Sequence, residues 1–275
     1  MRTPIVEKVI TEGAEIYCER RGNGHNLLLL IHGAMEDAGF YSSAADILAD
    51  ELTTVTVVSY DRRCNSRSTG DRSIDMIVAQ QARDAASIIK AMGFEKAVVV
   101  GRSGGAIIAL ELAGARPEVI DFMIVHEPPV IELLSDSDAQ RWRTFVDKIY
   151  MKSQREGWQA AQAEFIKSLI NVPDTPYPAN LNQRLSSNVD FFFKHELRAF
   201  SGYLPNIQSI RNNNLHMVTA VGRESDNAYY VQTTMALAAK LGCENVEFPG
   251  HHDVSFWMPE EFASAIRQAL LAHSR

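Results

Sequence analysis

The chain has 275 residues, 46% hydrophobic and 22% charged, a composition that allows one large α/β domain or two small ones. Its net charge is −7, with no clustered run of Lys and Arg, which argues against nucleic acid and against anionic membranes as partners. The opening stretch MRTPIVEKVITEGAEIYCERRG lacks the continuous apolar core of a signal peptide, and no apolar run is long enough to span a bilayer. The odd set Cys18, Cys64 and Cys243 has no motif spacing and reads as free thiols, so a cytoplasmic protein is expected.

In chain order, AEIYCERR alternates with period two and predicts a half-exposed strand. NLLLLIHG is a continuous apolar run, as in a strand buried on both faces. FYSSAADILADEL has helical spacing, and TTVTVVSYD predicts a second buried strand. SIDMIVAQQARDAASIIKAMG predicts a long amphipathic helix ending at Gly93. KAVVVG, GAIIALELAGARP and VIDFMIVHEPP predict strand, helix and strand. The rhythm then breaks. Residues 131–212 hold helical segments, the Pro-rich turn VPDTPYP and the aromatic cluster DFFFKHELRAF. It resumes with NLHMVTAVG, YYVQTTMALAAKLG, ENVEFPG and PEEFASAIRQALLAH. Strand–helix alternation implies a mostly parallel sheet with helices on both faces. Residues 1–130 and 213–275 are expected to form this core, with 131–212 inserted as a helical cap.

Gly101-Arg102-Ser103-Gly104-Gly105 has the G-x-S-x-G spacing of a nucleophile turn. The pattern is short, but its context is specific: a buried strand precedes it and a helix follows, which lifts a serine hydroxyl to the sheet edge. The glycines leave room where a Cβ would clash, and the helix amino end favours developing negative charge. The alternative is a structural serine in a tight turn. A serine hydroxyl needs a base and an orienting acid to attack at neutral pH. His252, in FPGHHDVSFWMPEEF, follows a strand and precedes the last helix; His251 is its neighbour and rival. Adjacent histidines on a loop without a third ligand at defined spacing make a poor metal site.

These residues make the chain resemble the α/β-hydrolase family. In that family a P-G-x-H turn presents the base seven residues before a Pro that opens the final helix, which fits His252 and Pro259 and not His251. The resemblance implies a serine hydrolase needing no cofactor, with the Ala34 and Gly104 N–H groups as oxyanion hole and His32 as an organiser of the H-G turn. It offers two acids. Asp226 follows the penultimate strand but lies one residue beyond the usual position, which Ser225 holds, and an N-cap explains it equally. Glu127 ends the strand VIDFMIVHEPP, where a carboxylate needs a partner. The branch with a strand-end H-E-P-P, distantly similar to zearalenone-lactone hydrolases, implies Glu127, with Asp226 as the alternative. Related loops read DRRGNSRS; Cys64 in place of that Gly implies that the backbone there need not take a positive φ.

The aromatic residues Trp142, Trp158, Phe165, Phe191, Phe192, Phe193 and Tyr203 imply an apolar roof over the site, although such spacing also serves plain packing. His195 and Glu196 read as neighbours' partners rather than substrate anchors. The expected activity is hydrolysis of an uncharged ester or lactone through Ser103, His252 and Glu127. Carbon–carbon bond hydrolysis, lyase or cofactor-free haloperoxidase chemistry are the alternatives, with a non-catalytic receptor as the third. Epoxide-hydrolase and dehalogenase relatives place Asp where this chain has Ser103. A small-molecule substrate is the expected partner, with a homodimer left open. Arg102 receives no role.

Overall fold

A computed structural model describes residues 3–173, 175 and 177–273. Two positions of the turn VPDTPYP, 174 and 176, lie outside the described residues. Among the described residues, one eight-stranded sheet runs in the order β1-β2-β4-β3-β5-β6-β7-β8. The strands are β1 (Ile5–Thr11), β2 (Ala14–Arg21), β3 (Asn26–Ile31), β4 (Val55–Tyr60), β5 (Ala97–Arg102), β6 (Ile120–His126), β7 (Met217–Gly222) and β8 (Glu244–Phe248). β2 pairs antiparallel with β1 and β4, and every later neighbour is parallel.

The run Leu27–Ile31 shows why the strand is apolar throughout. Leu28 and Leu30 pack with α1 (Ser42–Glu51) and α11 (Pro259–His273) on one face. Leu27, Leu29 and Ile31 pack with α2 (Val78–Ala91) and α3 (Gly104–Ala115) on the other. Each buried side chain contributes roughly 1.5–3 kcal/mol of transfer free energy, so neither face tolerates a polar residue. β1 was not expected. It forms a hairpin with β2 through Glu12 and Gly13, the glycine at φ 73°. The helix expected from Ser73 begins at Val78. The preceding residues instead meet the insertion, where Asp75 binds the His195 ring at 3.0 Å and the Met76 N–H donates to the His195 carbonyl at 2.9 Å.

Between β6 and β7 the chain forms α4 (Asp136–Glu156), α5 (Trp158–Phe165), α6 (Ala179–Phe191), α7 (Leu197–Ser201) and α8 (Ile207–Asn212). A single π turn, Phe192–Glu196, joins α6 to α7. Then α9 (Tyr229–Leu241) leads from β7 to β8, and α10 (Val254–Trp257) precedes α11. The N-cap of α9 is Ala228, so Asp226 does not cap it. The Asp226 carboxylate is exposed and accepts from the Asn171 side chain at 3.3 Å.

Candidate active site

The parallel strands deliver their carboxyl ends to one edge, where Ser103 follows β5, Glu127 follows β6, and His252 lies beyond β8. Ser103 sits at φ 54°, ψ −123°, a backbone state that costs an L-residue about 1–3 kcal/mol. The turn holds it there: its N–H donates to the His126 carbonyl at 2.9 Å, and its carbonyl accepts from Ala106 at 3.0 Å. Two glycines are required by close approach. A Cβ on Gly105 would stand 2.1 Å from the Ile31 carbonyl oxygen, and one on Gly101 would stand 2.4 Å from the Gly105 carbonyl oxygen.

His252 and Glu127 are directly paired. The imidazole Nδ1 lies 2.6 Å from Glu127 Oε2. Glu127 Oε1 accepts the Gly222 N–H at 2.7 Å, so a carboxylate carried by β6 is anchored at the end of β7. Burial would favour the neutral acid. The fields of His126 and His252 and the hydrogen bond from His252 outweigh it and hold Glu127 at about 2. The field of His126 fades at neutral pH, because burial pushes that ring down to about 4, whereas the hydrogen bonds from His252 and the Ser225 hydroxyl do not need a charged His126. With Nδ1 as donor to Glu127, Nε2 is left as the basic nitrogen. The Tyr230 ring packs against the imidazole at 4.3 Å. His251 is buried and turned elsewhere, its Nδ1 accepting the Asp253 N–H at 3.2 Å.

The loop after β3 carries Ala34 to the same place. His32 is fully buried, and burial with the nearby Arg62 guanidinium holds it well below its ordinary pKa. Its Nε2 accepts the Arg62 N–H at 3.0 Å, so Nδ1 carries the proton and donates to the Gly33 carbonyl at 2.9 Å. The neutral ring braces the turn. The Gly33 N–H is taken by Glu36 Oε2 at 2.9 Å.

Ser103, Gly104, Ala34 and His252 all line one cavity of about 450 Å³, within the ordinary range for small-molecule sites. Helices α4–α7 contribute mostly apolar side chains to its lining. Of the seven aromatics expected there, Trp142, Phe165 and Phe192 line it. Phe193 is buried in the core, Trp158 packs against that core, Phe191 faces a second, smaller cavity, and Tyr203 donates to Glu111 at 2.9 Å. Phe40, Phe145, Tyr177, Phe200 and Tyr229 complete the lining and were missed, because nothing in their local spacing separates a lining aromatic from a packed one.

Glu196 is fully buried and forms a bidentate pair with Arg62 at 2.6 and 3.0 Å. Asn188 of α6 donates to the Glu36 carbonyl at 2.8 Å. The π turn aims Glu196 inward, a common use of such an irregularity. Cys64 corrects the expectation from its loop: φ is +65°, so a side chain occupies a left-handed position that glycine would favour. The Arg72 guanidinium on its carbonyl and the Thr69 carbonyl on its N–H hold it there. Its thiol faces the second cavity, and burial raises it to about 11.

Also missed was a charged group under the cavity. Arg102 is fully buried between Glu36 and Asp253. Two acids in unrelated loops leave no pairing pattern in the sequence; the only signal was a large cation inside a turn of glycines.

Among the described residues no group of His, Cys, Asp and Glu could hold a metal ion, and no helix is long and apolar enough to cross a membrane. The family model described as alpha/beta hydrolase matches residues 28–265. The uncharacterised hydrolase YraK of Bacillus subtilis (strain 168) is 30% identical over 264 residues, covering 94% of this chain and 93% of that protein. The fold is shared with a thermophilic esterase from Thermogutta terrifontis at a TM-score of 0.75 and 20% identity, over 98% of each chain. It is shared too with Est816, an N-acyl homoserine lactone degrading enzyme, at a TM-score of 0.69 and 18% identity, over 95% of this chain and 99% of that one.

Proposed function

The chain belongs to the alpha/beta hydrolase family and is an enzyme of the hydrolase class, and we propose that it cleaves a carboxylic ester or lactone of a small, fairly hydrophobic substrate through an acyl-enzyme on Ser103. The observation that carries this reading is the 2.6 Å pair of His252 and Glu127 on the cavity that Ser103 faces. Helices α4–α7 act as the cap that shields this cavity from water.

In this mechanism His252 Nε2 takes the Ser103 proton as Oγ attacks the substrate carbonyl. Glu127 holds the tautomer and stabilises the imidazolium. The Ala34 and Gly104 N–H groups receive the developing oxyanion; Gly104 opens α3, where the first N–H groups have no partner within the helix. The imidazolium protonates the leaving oxygen, and a water activated by the same ring releases the acid. The largely apolar lining supports an uncharged substrate, since a charge set against α4–α7 would lose its hydration, and the two carboxylates on the cavity, Glu36 and Asp253, are already paired with Arg102. That proteins of this fold include an esterase and a lactone-degrading enzyme supports the choice of bond.

A fluorophosphonate probe read by intact mass tests the reading. One adduct on the wild type and none on Ser103→Ala is expected, followed by turnover of p-nitrophenyl esters. A folded wild type that takes no label rejects it.

A further inference from the structure

Three segments far apart in the chain converge on the Arg102 side chain. From the loop after β8, His252 offers its main-chain carbonyl to Nη1 at 2.9 Å and Asp253 its Oδ1 at 2.8 Å. From the loop after β3, Glu36 Oε1 pairs with Nη2, while the same carboxylate's Oε2 accepts the Gly33 N–H at 2.9 Å. Arg102 itself adjoins Ser103. One planar cation therefore joins the nucleophile turn, the peptide run leading to Ala34 and the segment that carries the imidazole.

Stability alone is a weak reason for such a group. Three charges are removed from water here, and apolar residues of similar volume are often as stabilising or more so. An apolar side chain cannot, however, fix the His252 carbonyl and the Glu36 carboxylate in two directions at once. A guanidinium fork can, and a lysine ammonium lacks that fixed fork. Placement matters at this edge, because a shift of about 1 Å in a reacting group can cost on the order of 100-fold in rate.

We propose that Arg102 is a positioning residue that registers the His252 main chain and the Gly33–Ala34 peptide against Ser103, so that base and oxyanion donor meet one carbonyl. This rests on the serine-hydrolase reading. The two arms have separable signatures. The His252 arm governs both proton transfers of the imidazole: the removal of the Ser103 proton, which both esters share, and the delivery to the leaving group, which an alkoxide needs and a p-nitrophenolate does not. The Glu36 arm governs the oxyanion, which both esters develop alike.

The test uses wild type, Arg102→Met, Arg102→Lys, Glu36→Gln and Asp253→Asn, with a fluorophosphonate and with the p-nitrophenyl and ethyl esters of one acid. Arg102→Met should lower the saturating phosphonylation rate about 100-fold, with the half-saturating probe concentration within about threefold of wild type, and Arg102→Lys should recover part of the loss. Asp253→Asn should lower kcat/KM for the ethyl ester more than for the p-nitrophenyl ester, and Glu36→Gln should lower both in proportion. A folded Arg102→Met that labels within about twofold of wild type overturns the proposal. If that variant does not fold, the ester pair decides, and equal ratios in Asp253→Asn and Glu36→Gln overturn it. Absence of Ser103 labelling in the wild type defeats the hydrolase reading and this proposal with it; labelling that is indifferent to Arg102 defeats this proposal alone.

Discussion

Glu127 leaves the sheet at the end of β6, yet its carboxylate binds the Gly222 N–H at 2.7 Å at the end of β7. The longer side chain thereby spans one strand spacing and reaches the His252 ring from the neighbouring strand. Glu127 takes φ 49° to do so, a left-handed state held by its own N–H on the Ala220 carbonyl. Asp226, the other acid in range, is exposed and turned to Asn171.

Glu127→Gln keeps the shape but removes the charge that fixes the imidazole tautomer. Turnover of an ester should fall on the order of 10⁴-fold, as on loss of a triad acid. Asp226→Asn should stay within about twofold, since an exposed substitution away from the site changes little. Steady-state kinetics on the two variants check this, and the reverse ranking would transfer the acid to Asp226.

His126 gives the fold an acid limit. Its folded pKa, about 4, lies below the unfolded value of 6.5, so the stability it permits is complete above pH 6.5 and is lost as pH falls towards 4. The loss is on the order of 3 kcal/mol. Glu127, depressed to about 2, adds a second loss below pH 4.5. Neither ring nitrogen of His126 has a partner among the described residues. His126→Leu should therefore gain roughly 1–3 kcal/mol at pH 7 and flatten the decline between pH 6.5 and 4, measured by urea midpoints at both ends.

The adjacent glycines of the serine turn should fail differently. A Cβ on Gly105 meets the Ile31 backbone oxygen at 2.1 Å, and backbone within a central strand has no room to yield. Gly105→Ala should lose more than about 4 kcal/mol or yield no soluble protein. A Cβ on Gly104 instead meets the Phe200 ring, which belongs to α7, at 2.8 Å. Gly104→Ala should fold with a loss of about 1–3 kcal/mol while esterase turnover drops steeply, because the insertion is pushed off Ser103. Thermal melts beside kcat distinguish the two.

The Arg62–Glu196 pair ties the segment between β6 and β7 to the loop after β3, since Arg62 Nη2 also donates to the Gly33 carbonyl at 3.1 Å. Glu196→Gln leaves Arg62 buried without its counter-charge and should cost about 3–5 kcal/mol by denaturant unfolding. Replacing both with apolar residues, as in Arg62→Met with Glu196→Leu, should recover most of that stability and not the turnover.

Legibility followed the range of the forces involved. Strands buried on both faces announced themselves because each residue of NLLLLI or AVVV must be apolar. The serine turn was readable because glycine crowding, strand and helix are all local. The contact of Glu127 with His252 was readable on weaker grounds, since the two lie 125 residues apart and only an unexplained charge at a strand end marked it. The Arg102 and Arg62 networks were not readable: each joins loops with no shared periodicity. Cys64 was misread because hydrogen bonds from a neighbouring turn can hold a left-handed backbone that composition says a side chain avoids.

Ser225 is buried in the β7 turn, beside the Gly222 that Glu127 grips, and its hydroxyl helps to hold the Glu127 carboxylate below its ordinary pKa. A comparison of aligned columns that looks three places past Gly222 for a carboxylate meets this serine and scores the chain as dead. The imidazole selects a point in space, and two addresses in the polypeptide can supply it. Ser225→Asp combined with Glu127→Ser would move the carboxylate from one address to the other.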